Sequence, residues 1–278
     1  MAVSSSTLVV DSVYSPANQL LSFADTNTLL NTASQTTQGG FLHFWTTSAP
    51  TVILGLNDKR LPNLTAGLTD LTAHGYQYFL RNSGGLAVVS DPPGVLNVSL
   101  IFHEEQALSV DTGYEIMTQL IQNSFPELTI KAFEISDSYC PGTYDLSVNG
   151  QKIAGIAQRR TKNAISLMLY LGGVNGDQLT RGGQTIRSFY DVADADYSDG
   201  QFPLVNPSVM TTLNDLNPAL GSINVAKERI LTELKRQQPV APLAQGQEFI
   251  NSPAYLADQQ KALRQMQLRN QVLIKEEP

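Results

Sequence analysis

The chain of 278 residues is long enough for one large domain or two small ones. Its 18 Lys and Arg residues against 25 Asp and Glu residues leave a formal net charge of −7, which argues against nucleic acid or an anionic membrane as the main partner. The single cysteine, Cys140, excludes a disulfide framework and any metal site built from several cysteines. The sequence shows no secretion signal and no apolar stretch of membrane-spanning length, so we expect a cytoplasmic protein.

The first hundred residues predict helices and strands in alternation. Apolar residues at helical spacing predict a helix that starts at Ser15 and Pro16 and ends before Gly39. Two short strands follow over 41–45 and 51–55, and a second helix is predicted over 61–74, ended by Gly75. Between 76 and 102, three extended segments are separated by the turn-forming sequences RNSGG and DPPG. This last stretch therefore predicts a meander of strands.

The clearest predicted helix begins near Thr112. Thr112 and Glu115 have the spacing of a capping box, and an apolar stripe that includes Met117 and Leu120 continues until just before Pro126. A short strand is predicted after it, over 128–133.

Asn149 and Gly150 predict a β-hairpin with a two-residue type I′ turn. The predicted register places Val148 opposite Gln151, Ser147 opposite Lys152 and Leu146 opposite Ile153. Because side chains alternate along a strand, one face of the hairpin is apolar and the other is polar. We expect the apolar face, formed by Tyr144, Leu146, Val148 and Ile153, to lie in the core. The polar face, formed by Asp145, Ser147 and Lys152, is exposed to solvent in the simplest interpretation.

The remainder of the chain predicts one more strand, over 164–173, and then helices from about residue 206. The intervening sequence GGVNGDQLTRGG lacks the Gly-Lys-Ser/Thr ending of a phosphate-binding loop and is interpreted as turns. Later apolar stripes include Ala226 and Ile230, then Leu256 and Met266, and they need a surface to pack on. The whole pattern predicts an α+β fold with a mostly antiparallel sheet and a helical C-terminal tail.

Cys140 is followed by Pro141 and Gly142, a pair that favours a sharp turn and can expose the preceding side chain. A lone cysteine is either a small buried apolar residue or a reactive thiol, and its position alone leaves both open. If the hairpin ran straight, Cys140 would lie about 23 Å from Lys152 along the strand. The two residues therefore meet only if the chain doubles back at Pro141 and Gly142.

Two sequence motifs resemble a known family. The string RNSGGLAVVSD, residues 81–91, resembles the arginine, serine and glycine signature of the biotin and lipoate protein ligase superfamily. The string SYCPGTYDLSVNGQKIAGIAQRR, residues 138–160, resembles one branch of it, the octanoyl-[glycine cleavage H protein]:protein N-octanoyltransferases, or lipoyl amidotransferases. The similarity runs from about residue 20 to 240. Leu86 replaces the third glycine of the ligases and Ser90 a frequent histidine, which makes nucleotide-dependent ligation less expected.

The resemblance implies a two-layer ligase-like catalytic domain. The predicted elements assign it residues 1–220, with a helical extension over 221–278 whose apolar stripes pack on it. The resemblance also implies that Cys140 is the nucleophile, that Lys152 supports it with a positive charge, and that no cofactor is needed. The implied reaction moves an octanoyl or lipoyl group from a lysine of the glycine cleavage H protein to a lysine of an E2 subunit of the 2-oxoacid dehydrogenases. The residues expected to bind the acyl group are Arg81, Ser83, Gly84, Gly85, Asp145 and Gly155.

Several of these assignments have simpler alternatives. Gly84 and Gly85 also fit an ordinary β-turn, and Arg81 also fits a loop contact, a partner contact or a surface charge. The basic cluster of Arg159, Arg160 and Lys162 is expected to dock acidic carrier domains, although a solvated strand end has the same composition. The three histidines are widely separated in sequence, so no metal site is expected.

Three other functions remain open at this stage. The first is an octanoyltransferase that takes its acyl group from acyl carrier protein. The second is an ATP-dependent lipoate ligase, in which Cys140 is dispensable. The third is a protein that binds lipoyl domains without catalysis.

Overall fold

The computed structural model describes residues 6–36, 39–104, 106, 108–172 and 176–273. Its strands are β1 Leu8–Tyr14, β2 Gly40–Thr47, β3 Thr51–Leu54, β4 Gln77–Leu80, β5 Val88–Ser90, β6 Val95–His103, β7 Lys131–Ala132, β8 Leu146–Val148, β9 Gln151–Arg160 and β10 Ala164–Gly172. Its helices are α1 Leu21–Ala33, α2 Leu64–Ala73, α3 Val110–Ser124, α4 Gly176–Val192, α5 Leu213–Leu216, α6 Ile223–Gln237, α7 Leu243–Ile250 and α8 Pro253–Asn270. None of the helices in these ranges combines the length and the apolar character needed to cross a membrane.

The strands form two sheets. The large sheet has the order β1-β2-β6-β10-β9-β8-β7, and the small sheet has the order β4-β3-β5. All neighbours in the large sheet are antiparallel except β1 and β2, whereas β3 is parallel to β4 and antiparallel to β5. The predicted α+β class with a mostly antiparallel sheet is therefore confirmed.

The helices cover the two sheets in separate groups. Met117 of α3 and Ile230 of α6 share one buried cluster with the large sheet, while Leu29 of α1 and Tyr255 of α8 belong to another cluster that also contains large-sheet residues. Helices α2 and α4 pack against each other and bury apolar residues over the small sheet. The two sheets meet through a mixed apolar cluster, in which Ile53 and Phe79 of the small sheet pack with Trp45 and Met168 of the large sheet. Beside this contact, β5, β9 and β10 border a common cavity that several loops complete.

The C-terminal helices pack on the rest of the chain. Ala226, Ile230 and Leu234 of α6 are buried in the core cluster of the large sheet, as their spacing predicts. The second predicted stripe is partly wrong, since Met266 of α8 is buried but Leu256 is 42% exposed. The division of the chain at residue 220 stays a prediction.

Two elements of the N-terminal half differ from the prediction. Strand β1 was not predicted, and it pairs in parallel with β2 at the edge of the large sheet. Helix α3 begins two residues before Thr112, because the Ser109 hydroxyl caps it by accepting a hydrogen bond from the Thr112 amide at 3.0 Å. The predicted capping box of Thr112 and Glu115 is therefore wrong.

The interpretation of residues 172–183 as turns is wrong from Gly176 onward, where α4 begins; residues 173–175 lie outside the described residues. Glycines usually weaken a helix, but those of α4 allow close packing. A Cβ atom on Gly182 would lie 3.1 Å from the Val89 side chain, and one on Gly183 would lie 3.0 Å from the Pro207 ring. Tertiary contact here outweighs helix propensity.

The hairpin of β8 and β9 follows the predicted turn and then departs from the predicted register. Asn149 and Gly150 have φ values of 52° and 80°, as a type I′ turn requires. Ser147 pairs with Lys152 as predicted, but Leu146 pairs with Ala154, so the register shifts by one residue at Ile153. A β-bulge of this kind bends the strand and changes the direction of nearby side chains.

Candidate active site

A cavity of about 290 Å³ lies between the two sheets. One wall is the loop from Arg81 to Ala87 that joins β4 to β5, and the opposite wall is the middle of β9 with Tyr170 of β10. The segment just before β8 closes one side and contains Cys140. Apolar residues line much of the space: Val88, Val95, Ile156, Ala157, Leu179 and Met210. The arrangement suits a ligand with an apolar chain and a reactive group beside Cys140.

Two donors from the β4–β5 loop converge on the sulfur of Cys140. The Leu86 amide lies 3.3 Å from Sγ, and Nη2 of Arg81 lies 3.6 Å from it. Arg81 is 2% exposed, and its guanidinium also donates to the Gly84 carbonyl at 2.8 Å. A guanidinium stays protonated in proteins. A buried permanent cation and a backbone N–H therefore face the sulfur of Cys140.

Lys152 lies beside Cys140 and forms a hydrogen bond with its backbone carbonyl, not with its sulfur. Its ammonium donates to the carbonyl oxygens of Cys140 and Tyr139, at 3.0 and 3.1 Å, and to the Ser138 hydroxyl at 3.0 Å. Oδ1 of Asp145 completes the contacts at 2.9 Å. An ammonium has three N–H donors, so these four oxygen atoms take up its hydrogen-bonding capacity.

The polar face of the hairpin is buried. Lys152 is 6% exposed, Asp145 is 2% exposed and Ser147 is 1% exposed, so the interpretation of a solvated face is wrong. Burial raises the pKa of Asp145, and the neighbouring Lys152 ammonium lowers it in part. The predicted core position of Tyr144 is also wrong, because the side chain is only half-buried: its ring stacks on Tyr114 with 4.6 Å between centroids and its hydroxyl donates to Asp111 at 3.0 Å.

The chain doubles back before β8, as contact between Cys140 and Lys152 requires. The Asp145 amide donates to the Gly142 carbonyl at 2.9 Å, and the Asp145 carboxylate accepts from the Gly142 amide at 3.2 Å. Cys140 itself has a φ of 48°, in the left-handed region that residues with side chains rarely adopt. Such a conformation persists only where its surroundings fix it, and the contact from Lys152 to the Cys140 carbonyl does so here.

The glycines of the β4–β5 loop have different surroundings. Gly84 borders the cavity with no atom within 4 Å of an added Cβ. Gly85 has a φ of 86°, and a Cβ there would lie 2.7 Å from Nη2 of Arg81 and 3.0 Å from Sγ of Cys140. Gly85 therefore leaves room for the arginine and the thiol to approach each other. Ser83 and Gly155 also line the cavity.

The side chains of the predicted basic cluster do not form one surface, because Arg159 and Arg160 contact different parts of the chain. Arg159 is half-buried and donates to the Asn82 carbonyl at 2.7 Å, on the side of the cavity loop. Arg160, the next residue in β9, points away and pairs with Glu104 at 3.3 Å, while Lys162 is exposed. The charge of Arg160 is thus compensated within the chain, and partner docking stays a prediction for all three residues.

Residues 18–235 match the family of the lipoyl protein ligase A/B catalytic domain. The chain belongs to this family. It is 41% identical over 224 residues to the octanoyl-[GcvH]:protein N-octanoyltransferase of Oceanobacillus iheyensis, a match that covers 80% of this chain and 79% of that protein. It is 40% identical over 222 residues to the lipoyl-[GcvH]:protein N-lipoyltransferase of Listeria monocytogenes, covering 77% of each.

Solved members of the lipoyl protein ligase A/B family have the same fold. The structure of lipoate-protein ligase A bound with ATP superposes with a TM-score of 0.64 at 14% identity, covering 96% of this chain and 98% of that one. The predicted ligase-like fold and the resemblance to the N-octanoyltransferases are therefore confirmed. As a family member with N-acyltransferase relatives, the protein is an acyltransferase.

Sequence reasoning missed two features of the site. It assigned the positive charge beside the thiol to Lys152, whereas the cation that contacts Sγ is Arg81. It also gave no role to Leu86, whose backbone amide is a donor to the sulfur. A backbone donor carries no side-chain signal, and Arg81 is separated from Cys140 by 59 residues.

Proposed function

We propose that this acyltransferase moves an octanoyl or lipoyl group from a lysine of the glycine cleavage H protein to a lysine of an E2 subunit of the 2-oxoacid dehydrogenases, through a thioester on Cys140. The observation that carries the proposal is the position of Sγ at the cavity, within reach of Arg81 and the Leu86 amide. The relatives named for octanoyl and lipoyl transfer support the same acyl groups and the same donor.

The proposed reaction has two balanced steps. The Cys140 sulfur attacks the amide carbonyl of the acylated lysine, the C–N bond breaks, and the donor lysine leaves as an amine that carries the proton lost by the thiol. The acceptor lysine then attacks the thioester, the C–S bond breaks, and the thiol regains a proton. One amide replaces another, so the overall exchange needs no nucleotide.

The residues of the cavity divide this work. Arg81 and the Leu86 amide donate to the sulfur and stabilise it as the attacking thiolate. Lys152 fixes the backbone of Cys140 through its hydrogen bond to the Cys140 carbonyl, and it forms part of the cavity lining. Gly84, Ser83 and Gly155 border the acyl chain, and the apolar lining keeps water from the thioester.

Docking of the carrier proteins rests on charge. Arg159 lies near the end of β9 beside the cavity loop, and the exposed Lys162 follows two residues after the strand, in a chain with a net charge of −7. A local positive surface attracts acidic carrier domains despite the overall repulsion. A reducing compartment protects a free thiol from oxidation, so the cytoplasm is the proposed location of the enzyme.

The test compares three acyl donors by intact mass spectrometry: octanoylated H protein, octanoyl-acyl carrier protein, and octanoate with ATP. Because Cys140 is the single cysteine, a thioester adduct reports on one atom. We expect an adduct from octanoylated H protein, no adduct in Cys140→Ala, and transfer onward to a lipoyl domain only by the wild-type chain. Labelling only from acyl carrier protein, or undiminished transfer by Cys140→Ala, would contradict the proposal. An equal melting temperature of the two proteins is the control for folding.

A further inference from the structure

A buried polar pair, Asp58 and Tyr190, lies behind the wall of the cavity and has no part in the mechanism above. Both side chains are fully buried. Asp58 belongs to the short turn of helix that follows β3, and Tyr190 belongs to α4, 132 residues later in the chain. The Tyr190 hydroxyl donates to Oδ1 of Asp58 at 3.0 Å. Burying such a pair is costly unless its hydrogen bonds are satisfied, and both members of this pair are held in hydrogen bonds.

The pair is connected to the backbone that contacts the thiol. The Tyr190 hydroxyl accepts a hydrogen bond from the Ala87 amide at 3.2 Å, one residue after Leu86. On the other side of Leu86, the Gly85 carbonyl accepts from the Asn57 amide at 3.3 Å. The Leu86 peptide is therefore held from both sides by the segment that contains Asp58 and by Tyr190.

Asp58 also shapes the segment that supports the loop. Its Oδ2 accepts from the Gly55 amide at 2.7 Å and so closes the turn after β3. A Cβ atom on Gly55 would overlap the Gly85 carbonyl oxygen, so the two backbones are in direct contact. The Asp58 carboxyl thus organises both supports of the Leu86 peptide, namely the 55–57 backbone and the Tyr190 hydroxyl.

We propose that Asp58 and Tyr190 are positioning residues for the nucleophile, and that they hold the Gly85–Ala87 backbone so that the Leu86 amide donates to Sγ of Cys140. The inference rests on the proposed thioester function. Neither residue touches the sulfur, so their effect passes entirely through the peptide between Gly85 and Ala87. A hydrogen bond to a thiolate weakens steeply when its geometry is lost, which makes the fixed position of this amide important.

The test is Tyr190→Phe in the full-length chain, because phenylalanine keeps the ring that packs in the core and removes only the hydroxyl. Loss of one hydrogen bond is expected to slow alkylation of Cys140 by iodoacetamide about three- to tenfold. The kcat for octanoyl transfer falls with it, while the KM for the acylated carrier stays unchanged. Asp58→Asn keeps an oxygen that accepts from the Tyr190 hydroxyl, so it retains more of both rates than Asp58→Leu.

The matched control is Tyr197→Phe, which removes a hydroxyl that donates to Asp191 at the surface, at 2.6 Å. We expect its rates to stay within about twofold of the wild type, as for most surface changes. A folded Tyr190→Phe protein with wild-type alkylation and kcat would overturn the inference, as would a change confined to KM. Failure of the wild type to form an octanoyl adduct would overturn the proposed function instead, and the alkylation result separates the two.

Discussion

The two sides of the cavity each carry one buried cation, and the two cations act on different parts of the same residue. On the small-sheet side, Arg81 directs its guanidinium at the sulfur of Cys140. On the large-sheet side, Lys152 directs its ammonium at the backbone carbonyl of Cys140 and at Asp145. Both cations lie near Cys140, but only Arg81 contacts its sulfur, and Lys152 contacts its backbone.

The difference follows from how each cation reaches the site. Arg81 directly follows β4. Its Nη2 donates hydrogen bonds to the Gly84 carbonyl and to Sγ of Cys140, so one guanidinium nitrogen connects the loop to the thiol. Lys152 stands beside a β-bulge in the hairpin, where it meets the strained turn of Cys140. We therefore expect Arg81 to affect the reactivity of the thiol and Lys152 to maintain the backbone conformation of Cys140.

The largest expected effect is on stability, from Lys152→Met. Removing one partner of a buried ion pair leaves Asp145 uncompensated, so we expect the free energy of unfolding to fall by about 3–5 kcal/mol. Urea denaturation followed by fluorescence measures this change. The double variant Lys152→Met/Asp145→Asn removes both charges and keeps an acceptor for the Gly142 and Ile135 amides, so it should recover part of the loss. Equal stability of the wild type and Lys152→Met would contradict the division of roles.

The next effect is on reactivity, from Arg81→Gln. A hydrogen bond to a charged group contributes about 1.5–3 kcal/mol, so alkylation of Cys140 at neutral pH should slow roughly 10- to 100-fold. Arg187→Gln is the matched control, since it removes a guanidinium paired with Asp191 on the surface of α4. If the folded Lys152→Met protein lost more alkylation rate than Arg81→Gln, the assignment of the two cations would have to be reversed.

Short sequence patterns correctly predicted the features that depend on neighbouring residues. The Asn149-Gly150 turn and the Ser147–Lys152 pair are short-range features, and they are confirmed. The bulge at Ile153 depends on how the hairpin packs, and no residue type in the hairpin predicts it. Helix α4 was not predicted because its glycines disfavour a helix. They are explained only by the close packing of Gly182 on Val89 and of Gly183 on Pro207, which the sequence does not show.

The site divides in the same way. Cys140 and Lys152 were found because they lie twelve residues apart in one motif, whereas the donors to the sulfur come from a loop more than fifty residues earlier. Asp58 and Tyr190 are further apart still, and neither belongs to a motif. The sequence motif indicated Cys140 as the candidate nucleophile, and the fold was needed to identify the groups that contact its sulfur.

The smallest predicted effect compares a buried titratable group on each sheet. Burial raises the pKa of Asp58, beside the small sheet, to about 7, and burial lowers the pKa of His43 in β2 to about 4, although Asp25 and Asp11 oppose the shift of His43. A raised carboxyl pKa means that the stability contribution of Asp58 is lost as pH rises toward 7. A lowered imidazole pKa means that the contribution of His43 is lost as pH falls below about 6.5.

The two contributions therefore oppose each other between pH 5 and 7, each changing by about 2 kcal/mol over that range. We expect urea unfolding at pH 5, 6 and 7 to show that the stability of the wild type relative to Asp58→Asn declines as pH rises. Relative to His43→Gln, which replaces a side chain in contact with the Tyr14 hydroxyl, the wild type should instead gain stability as pH rises. The same sign of slope against both variants would contradict the uncharged state that burial favours for each group, a protonated carboxyl at Asp58 and a neutral imidazole at His43.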